Sequence, residues 1–172
     1  VIDDLVSFRM ERLLDDSHLP PLPADAPSVG IPLAMFAWSQ APFWRTLFAH
    51  LGFRTVLSDQ TNKKIIQAGM DHVVAEPCFP IIVAHGHVAD LIEKAPDYIF
   101  LPNIISQETR WTDTESYLCP WHQTLPFVAR RAPGLGEHRD RYLTPTVRFR
   151  EGRKAVLRGL RDELEPLPGV TK

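Results

Sequence analysis

Two cysteines stand in matching settings. Cys78 sits in Glu76-Pro77-Cys78-Phe79-Pro80 and Cys119 in Tyr117-Leu118-Cys119-Pro120-Trp121. Each reads as the close of a short strand-like run, followed at once by a proline-bearing helix start. Proline suits the first helical turn, where its missing N–H would have no partner in any case. The spacing therefore makes Cys119 a helix N-cap and places Cys78 just ahead of a second helix. A thiol at a helix N-terminus is biased toward thiolate, the form that attacks electrophiles and binds metal. Four readings are open to such a pair. The thiols can be inert, since free cysteine behaves as a small hydrophobe. They can form a disulfide. They can bind zinc with His85, His87 or His122, although structural zinc takes four protein ligands and no Cys-x-x-Cys knuckle is present. They can ligate an iron–sulfur cluster, which usually takes four thiolates, the others coming from elsewhere.

Bulk properties narrow the setting. A chain of 172 residues is long enough for one domain with a real core. Lys+Arg 19 against Asp+Glu 21 gives a net charge of −2, without the clustered positive charge of a nucleic-acid binder. No apolar run approaches the roughly 20 residues of a membrane helix. The first residues, Val1-Ile2-Asp3-Asp4-Leu5, are acidic and amphipathic, unlike a signal peptide. Two cysteines are too few for a disulfide scaffold, so the expected compartment is the reducing cytoplasm, with no disulfide between them. A start at Val1 without methionine reads as a piece cut from a longer polypeptide.

The elements that must position the thiols follow from periodicity. Residues 2–15 place Leu5, Phe8, Leu13 and Leu14 on one helical face. His18 to Pro27 hold four prolines, a stiff extended linker. The expected division is thus 1–28, helix and Pro-rich linker, and 29–172, an α/β domain. The N-terminal helix is expected to pack on a neighbouring domain or second copy, and loss of residues 1–27 to change stability by no more than about 1 kcal/mol. Strands are expected at 29–36, 53–57, 71–75, 98–101, 115–118 and 145–149. Helices are expected at 42–51, 61–68, 80–94, 120–131 and 150–164. Alternation of this kind implies a three-layer sandwich, Rossmann-like or flavodoxin-like, with a mostly parallel sheet and right-handed crossovers. Ligands in such folds bind outside the carboxyl ends of the strands.

The loops expected at that edge carry Trp38 and Ser39, Asp59, Cys78, Asn103 and Cys119. Both cysteines therefore belong to one edge of one sheet. Trp38 and Trp121 follow strand ends and can wall a site; Ser39, Asp59 and Asn103 are alternatives for binding a small molecule. His85-Gly86-His87 lies on the helix after Cys78. The glycine costs about 1 kcal/mol in a helix relative to alanine, which points to close packing against another backbone. No Gly-x-x-x-x-Gly-Lys, Gly-x-Gly-x-x-Gly or Gly-x-Ser-x-Gly pattern occurs, which disfavours ATP binding, NAD binding and hydrolase chemistry within this piece.

An ordered series of segments carries a resemblance: Val29-Gly30-Ile31-Pro32, Pro42-Phe43-Trp44, Leu51-Gly52-Phe53, Leu57-Ser58-Asp59, Cys78-Phe79-Pro80 with His85-Gly86-His87, and Cys119-Pro120-Trp121-His122-Gln123. The series resembles the acyl-CoA dehydratase activase-related proteins, large bacterial proteins in the orbit of 2-hydroxyglutaryl-CoA dehydratase and its ATP-dependent activator. It covers about residues 29–131. The resemblance implies a 4Fe–4S cluster in the parent protein with Cys78 and Cys119 as two of its ligands, and a further cysteine downstream of Lys172. Around it, His85, His87, Trp38, Ser39, Asp59 and Asn103 are the candidates to orient ligands or tune potential. The implied partners are other domains of the parent chain, an ATP-dependent activase domain among them, and an acyl-CoA substrate. The implied function is an iron–sulfur module of an ATP-driven low-potential electron-transfer system, the piece by itself being inactive; its apolar periodicity, which already builds strands and covering helices, predicts that it folds without cofactor. The alternative is a non-catalytic α/β scaffold or small-molecule-binding domain within a large protein.

Overall fold

The structure is a computed structural model that describes residues 4–111 and 113–170. The chain forms α1 (Leu5–Leu14), β1 (Ser28–Ile31), α2 (Met35–Ser39), α3 (Ala41–His50), β2 (Arg54–Leu57), α4 (Lys63–His72), α5 (Phe79–Lys94), β3 (Tyr98–Phe100), β4 (Asn103–Ser106), α6 (Pro120–Ala129), β5 (Tyr142–Leu143), β6 (Thr146–Arg148) and α7 (Arg153–Leu164). The strands β2-β1-β3-β5 form one parallel sheet in that order. Past Pro102 and Pro145, β4 pairs with β6 in the same register at Asn103 and Ile104, and a bulge between Ile104 and Ser106 then shifts it by one residue. Ile99 and Phe100 face Tyr142 and Leu143 below the break; Asn103 and Ile104 face Thr146 and Val147 above it.

Side-chain alternation along these strands builds the three layers. Val29, Ile31, Phe100, Ile104, Leu143 and Val147 point to one face, where Trp44 and Phe48 of α3 and Leu160 and Leu164 of α7 complete a core. Ile99, Leu101 and Tyr142 point to the other, against Ile81, Ala84, Val88 and Leu91 of α5 and Leu125 and Ala129 of α6. This is the three-layer α/β sandwich that the alternating pattern predicts. Among the described residues, no helix is long and apolar enough to cross a membrane.

Several expected elements differ. The first strand stops at Ile31 rather than at residue 36. Pro32 has no N–H to continue the ladder, the Leu33 N–H is taken by Ser58 Oγ at 2.7 Å, and the chain turns into α2. The strand expected over 71–75 does not form; α4 runs on through Gly69 to His72 instead. Gly69 and Gly86 explain this. A Cβ on Gly69 would lie 2.1 Å from the Ile82 carbonyl oxygen, and one on Gly86 1.9 Å from that of Ile65. The two glycines let α4 and α5 close backbone to backbone as an antiparallel hairpin, so Gly69, just past the helix end expected at residue 68, is part of the packing surface. The strand expected over 115–118 shrinks to one antiparallel bridge between Ser106 and Tyr117. The two-residue β5 and the extension β4 have no counterpart among the expected strands.

No residue of α1 is buried, and Asp4 caps it by accepting the Val6 and Ser7 N–H groups. The expected start at Ile2 lies outside the described residues. The segment after α1 is fastened to the domain by the buried Arg45 of α3. Its Nη1 donates to the Leu14 carbonyl at 2.6 Å, and its Nη2 pairs with Asp16 at 3.0 Å. A chain starting at Ser28 strips that guanidinium of both partners. Its urea midpoint should correspond to a loss of about 1–3 kcal/mol, more than surface contact alone would give.

Candidate functional site

The α4–α5 hairpin sets the position of Cys78. The later half of α5 lies against the carboxyl end of β2: His87 meets Ser58, and Lys94 Nζ donates to the Leu57 carbonyl at 3.0 Å. The start of α5 therefore projects beyond the carboxyl edge of the sheet and carries Cys78 with it. Cys78 is the N-cap of α5 and follows a helix and a turn, not a strand. Cys119 is the N-cap of α6, and the segment before it is tied to β4 by Leu118 N–H donating to Ile105 O at 2.9 Å. Both thiols are free and exposed. Their backbones are nearly superimposable in conformation, φ −62°, ψ 150° at Cys78 and φ −61°, ψ 151° at Cys119. They differ in one contact: Cys119 Sγ accepts from the His122 N–H at 3.4 Å, while Cys78 Sγ caps nothing. The two helices pack together through Ile81, Ala84, Leu125 and Ala129, so both exposed thiols stand on the carboxyl side of the sheet, at the starts of neighbouring helices.

A cleft of about 540 Å³ opens beside the start of α5. It is walled by Leu33, Ala34 and Met35 after β1, Trp38 of α2, Gln60 and Thr61 after β2, Phe79, Pro80 and Val83 of α5, and Met10 of α1. Its position at the ends of β1 and β2 is the usual ligand position in a parallel sheet, and its size is that of a small-molecule site. Met35 there has φ +53°, a left-handed conformation that is uncommon outside glycine and concentrates at functional sites.

A buried chain of hydrogen bonds fixes two walls of the cleft. Ser58 Oγ accepts the Leu33 N–H and stands 2.8 Å from His87 Nδ1; His87 Nε2 stands 2.9 Å from Thr61 Oγ1. With the serine hydroxyl proton given to Nδ1, the imidazole carries its proton on Nε2 and donates to Thr61. That leaves the threonine hydroxyl proton free toward the cleft. Burial holds His87 neutral, its pKa pushed down to about 4. One turn on, Asp90 accepts the Asp59 N–H at 2.9 Å, and Lys94 bridges Asp59 and Asp90 at 2.6 and 3.0 Å.

The other candidates divide. Trp38 lines the cleft. Ser39 donates within its own helix to the Phe36 carbonyl at 3.2 Å, Asp59 is held by Lys94, and Asn103 is buried with its amide 3.5 Å from Thr146 Oγ1; none of the three lines the cleft. His85 is buried on α5 with Nδ1 2.8 Å from its own Ile81 carbonyl. Gln60, Thr61 and Met35 enter the cleft without a signal in sequence, because ordinary polar and apolar residues become wall residues only through the loops that carry them. Among the described residues, no three of His, Cys, Asp and Glu come together as a metal centre. The thiols alone therefore offer two of the donors a four-iron cluster uses, both exposed and so open to completion from outside the described residues.

No curated protein and no solved structure matches the chain. A family model described as CoA enzyme activase uncharacterised domain (DUF2229) matches residues 28–170, from the first residue of β1 to past the end of α7. The chain belongs to that CoA enzyme activase domain family.

Proposed function

We propose that this domain is the iron–sulfur module of a CoA enzyme activase system, in which Cys78 and Cys119 supply two thiolates to a 4Fe–4S cluster completed by cysteines elsewhere in the parent protein. The observation that carries the reading is the pair of free, exposed thiols in the same N-cap conformation on neighbouring helices. Each helix start presents its positive end to the sulfur, a setting that suits an anionic ligand. The cluster, once bound, would supply one-electron chemistry at low potential, driven by ATP hydrolysis in a separate activase domain. The chain's own part is to hold the two sulfurs and to keep their helices rigid through the shared α5–α6 core. The cleft beside Phe79 and Pro80 is the place for an acyl-CoA group in this reading. His85 and His87, one bound to its own helix and one to Ser58 and Thr61, hold the framework rather than the cluster. The division at residue 28, a cytoplasmic setting and partnership with the activase domain belong to the same proposal.

Anaerobic iron and sulfide analysis of the parent protein tests it. Cys78→Ala and Cys119→Ala should each abolish or strongly reduce cluster content and the electron-paramagnetic-resonance signal of the reduced protein, because each loss opens the cluster's coordination. His85→Ala and His87→Ala should leave iron content near normal. Full iron content and an unchanged signal in both cysteine variants would leave the domain as a scaffold that positions its neighbours.

A further inference from the structure

Among the described residues, the cleft at the ends of β1 and β2 is lined by neutral side chains alone. Most of its wall is apolar, and Gln60 and Thr61 form the polar corner. The Gln60 amide carries both donors and an acceptor and so selects for neither. Thr61 differs, because the direction of its hydroxyl is set from inside the domain.

Ser58 and His87 are both buried. Ser58 Oγ accepts the Leu33 N–H at 2.7 Å, and His87 Nδ1, 2.8 Å away, is the acceptor for its own proton. A buried hydroxyl left without that acceptor would cost about 1–3 kcal/mol, so Nδ1 is the accepting nitrogen. Burial keeps the ring neutral, its pKa pushed down to about 4, and a neutral imidazole has one N–H. That proton therefore sits on Nε2, 2.9 Å from Thr61 Oγ1. Thr61 accepts it, and its own proton cannot point back at the ring. Thr61 is exposed at the cleft, and no second hydrogen bond engages its hydroxyl among the described residues. Two buried groups thus turn an ordinary threonine into an oriented donor.

We propose that Thr61 is the specificity-determining residue of the cleft and donates to the carbonyl oxygen of a neutral acyl thioester, with Ser58 and His87 as its positioning residues. The inference rests on the reading of the cleft as an acyl-group site and is independent of cluster binding. The acyl chain lies against the apolar wall, and its one oxygen meets the one oriented proton. An alkyl group without that oxygen leaves the Thr61 proton facing hydrocarbon instead of water. A free carboxylate meets no cation in the lining.

S-phenyl thiobutyrate and butyl phenyl sulfide are the probes, titrated into the chain by calorimetry. They differ only in a carbonyl against a methylene, and comparing the ratio of their affinities between variants cancels their difference in hydrophobicity. Thr61→Val keeps the shape and loses the hydroxyl. It should lower the thioester-to-sulfide ratio about three- to tenfold, the value of one net hydrogen bond, and Thr61→Ser should keep it. The infrared carbonyl stretch of isotope-labelled thioester should fall in frequency on binding to the unaltered chain and return in Thr61→Val. NMR of the His87 ring should show Nε2 protonated and Nδ1 bare. An unchanged ratio in Thr61→Val would overturn the inference and leave the cleft as an acyl-group site; binding of neither probe would overturn both. A ring protonated on Nδ1 would also overturn the inference. Should Thr61→Val fail to fold, a bound thioester whose stretch on the unaltered chain equals its value in alkane decides against it.

Discussion

Gly86→Ala should be among the most damaging single substitutions in this chain. Alanine is the better helix former, worth about 1 kcal/mol over glycine in a helix interior, so local propensity alone predicts stabilisation. The packing reverses the sign. The added methyl would sit 1.9 Å from the Ile65 carbonyl oxygen and 3.0 Å from the Gly69 nitrogen, and a backbone carbonyl has no rotamer to escape into. The α4–α5 hairpin must part, which exposes Ile65 and Ile81 and releases the start of α5. We expect a loss of about 3–5 kcal/mol, in the range of severe overpacking and broken core contacts. A shift of the urea midpoint with unchanged slope measures it. Gly69→Ala, with its methyl 2.1 Å from the Ile82 carbonyl oxygen, should behave alike. A midpoint for Gly86→Ala at or above that of the unaltered chain would mean that the hairpin is not packed this closely.

The second large effect is acid lability. His87 and His122 are both buried, and desolvation pushes each pKa down to about 4 from an ordinary 6.5. A folded-state pKa below the unfolded one means that the unfolded chain takes up protons first. The stability tied to these neutral rings is complete above about pH 6.5 and drains away as the pH falls to 4. Each ring accounts for roughly 2 kcal/mol of loss at pH 5 and about 3 kcal/mol below pH 4, from 1.36 kcal/mol per unit of difference. Together they should cost about 4 kcal/mol between pH 7 and pH 5, a large share of the total stability of a small domain. Urea melts at the two pH values measure this, and His122→Phe should remove about half of the dependence. His85, also lowered by burial, adds in the same direction. A stability flat from pH 7 to 5 would contradict the burial of these rings.

How far the chain could be read in advance depended on the range of the force involved. Periodicity exposed α3, α5, α6 and α7 within a few residues, because each is a long amphipathic or apolar run between breakers. The parallel sheet followed from alternation of helix and strand. Short elements were less legible. A two-residue strand such as Tyr142–Leu143 exists because β3 lies beside it, and no local pattern announces that. Asp71 to Ala75 carries β-branched residues with strand propensity, yet α4 takes Asp71 and His72 and the rest serves as the turn, since the contact across Gly69 and Gly86 outweighs a local preference. The glycine in His85-Gly86-His87 is legible as a sign of close packing, whereas its partner Gly69 lies just past the helix expected over 61–68 and carries no such signal. The cysteines were placed correctly as helix starts, although Cys78 follows a helix rather than a strand. Of the residues expected at the ligand edge, Trp38 reaches the cleft, whereas Ser39 and Asp59 are spent on internal contacts and Asn103 is buried elsewhere with its Oδ1 unpartnered. Such commitments depend on partners many residues away.

The break shared by the paired strands at Pro102 and Pro145 has a consequence for how these molecules meet in concentrated solution. The β5–β6 side is an outer border of the sheet, and an outer border with free N–H groups is a template for a strand from another chain. Here the main-chain groups of Leu143 and Pro145 face inward, their carbonyls accepting the Leu101 and Asn103 N–H groups at 2.9 Å, and the outward Thr144 N–H between them is taken by Glu163 of α7 at 2.8 Å. The outward donor at Thr144 is thereby closed to an incoming strand, with the charged Arg148 further along the same border. Chains that meet along this side find no continuous ladder to extend, and self-assembly by sheet growth is blocked there without any need for a covering partner.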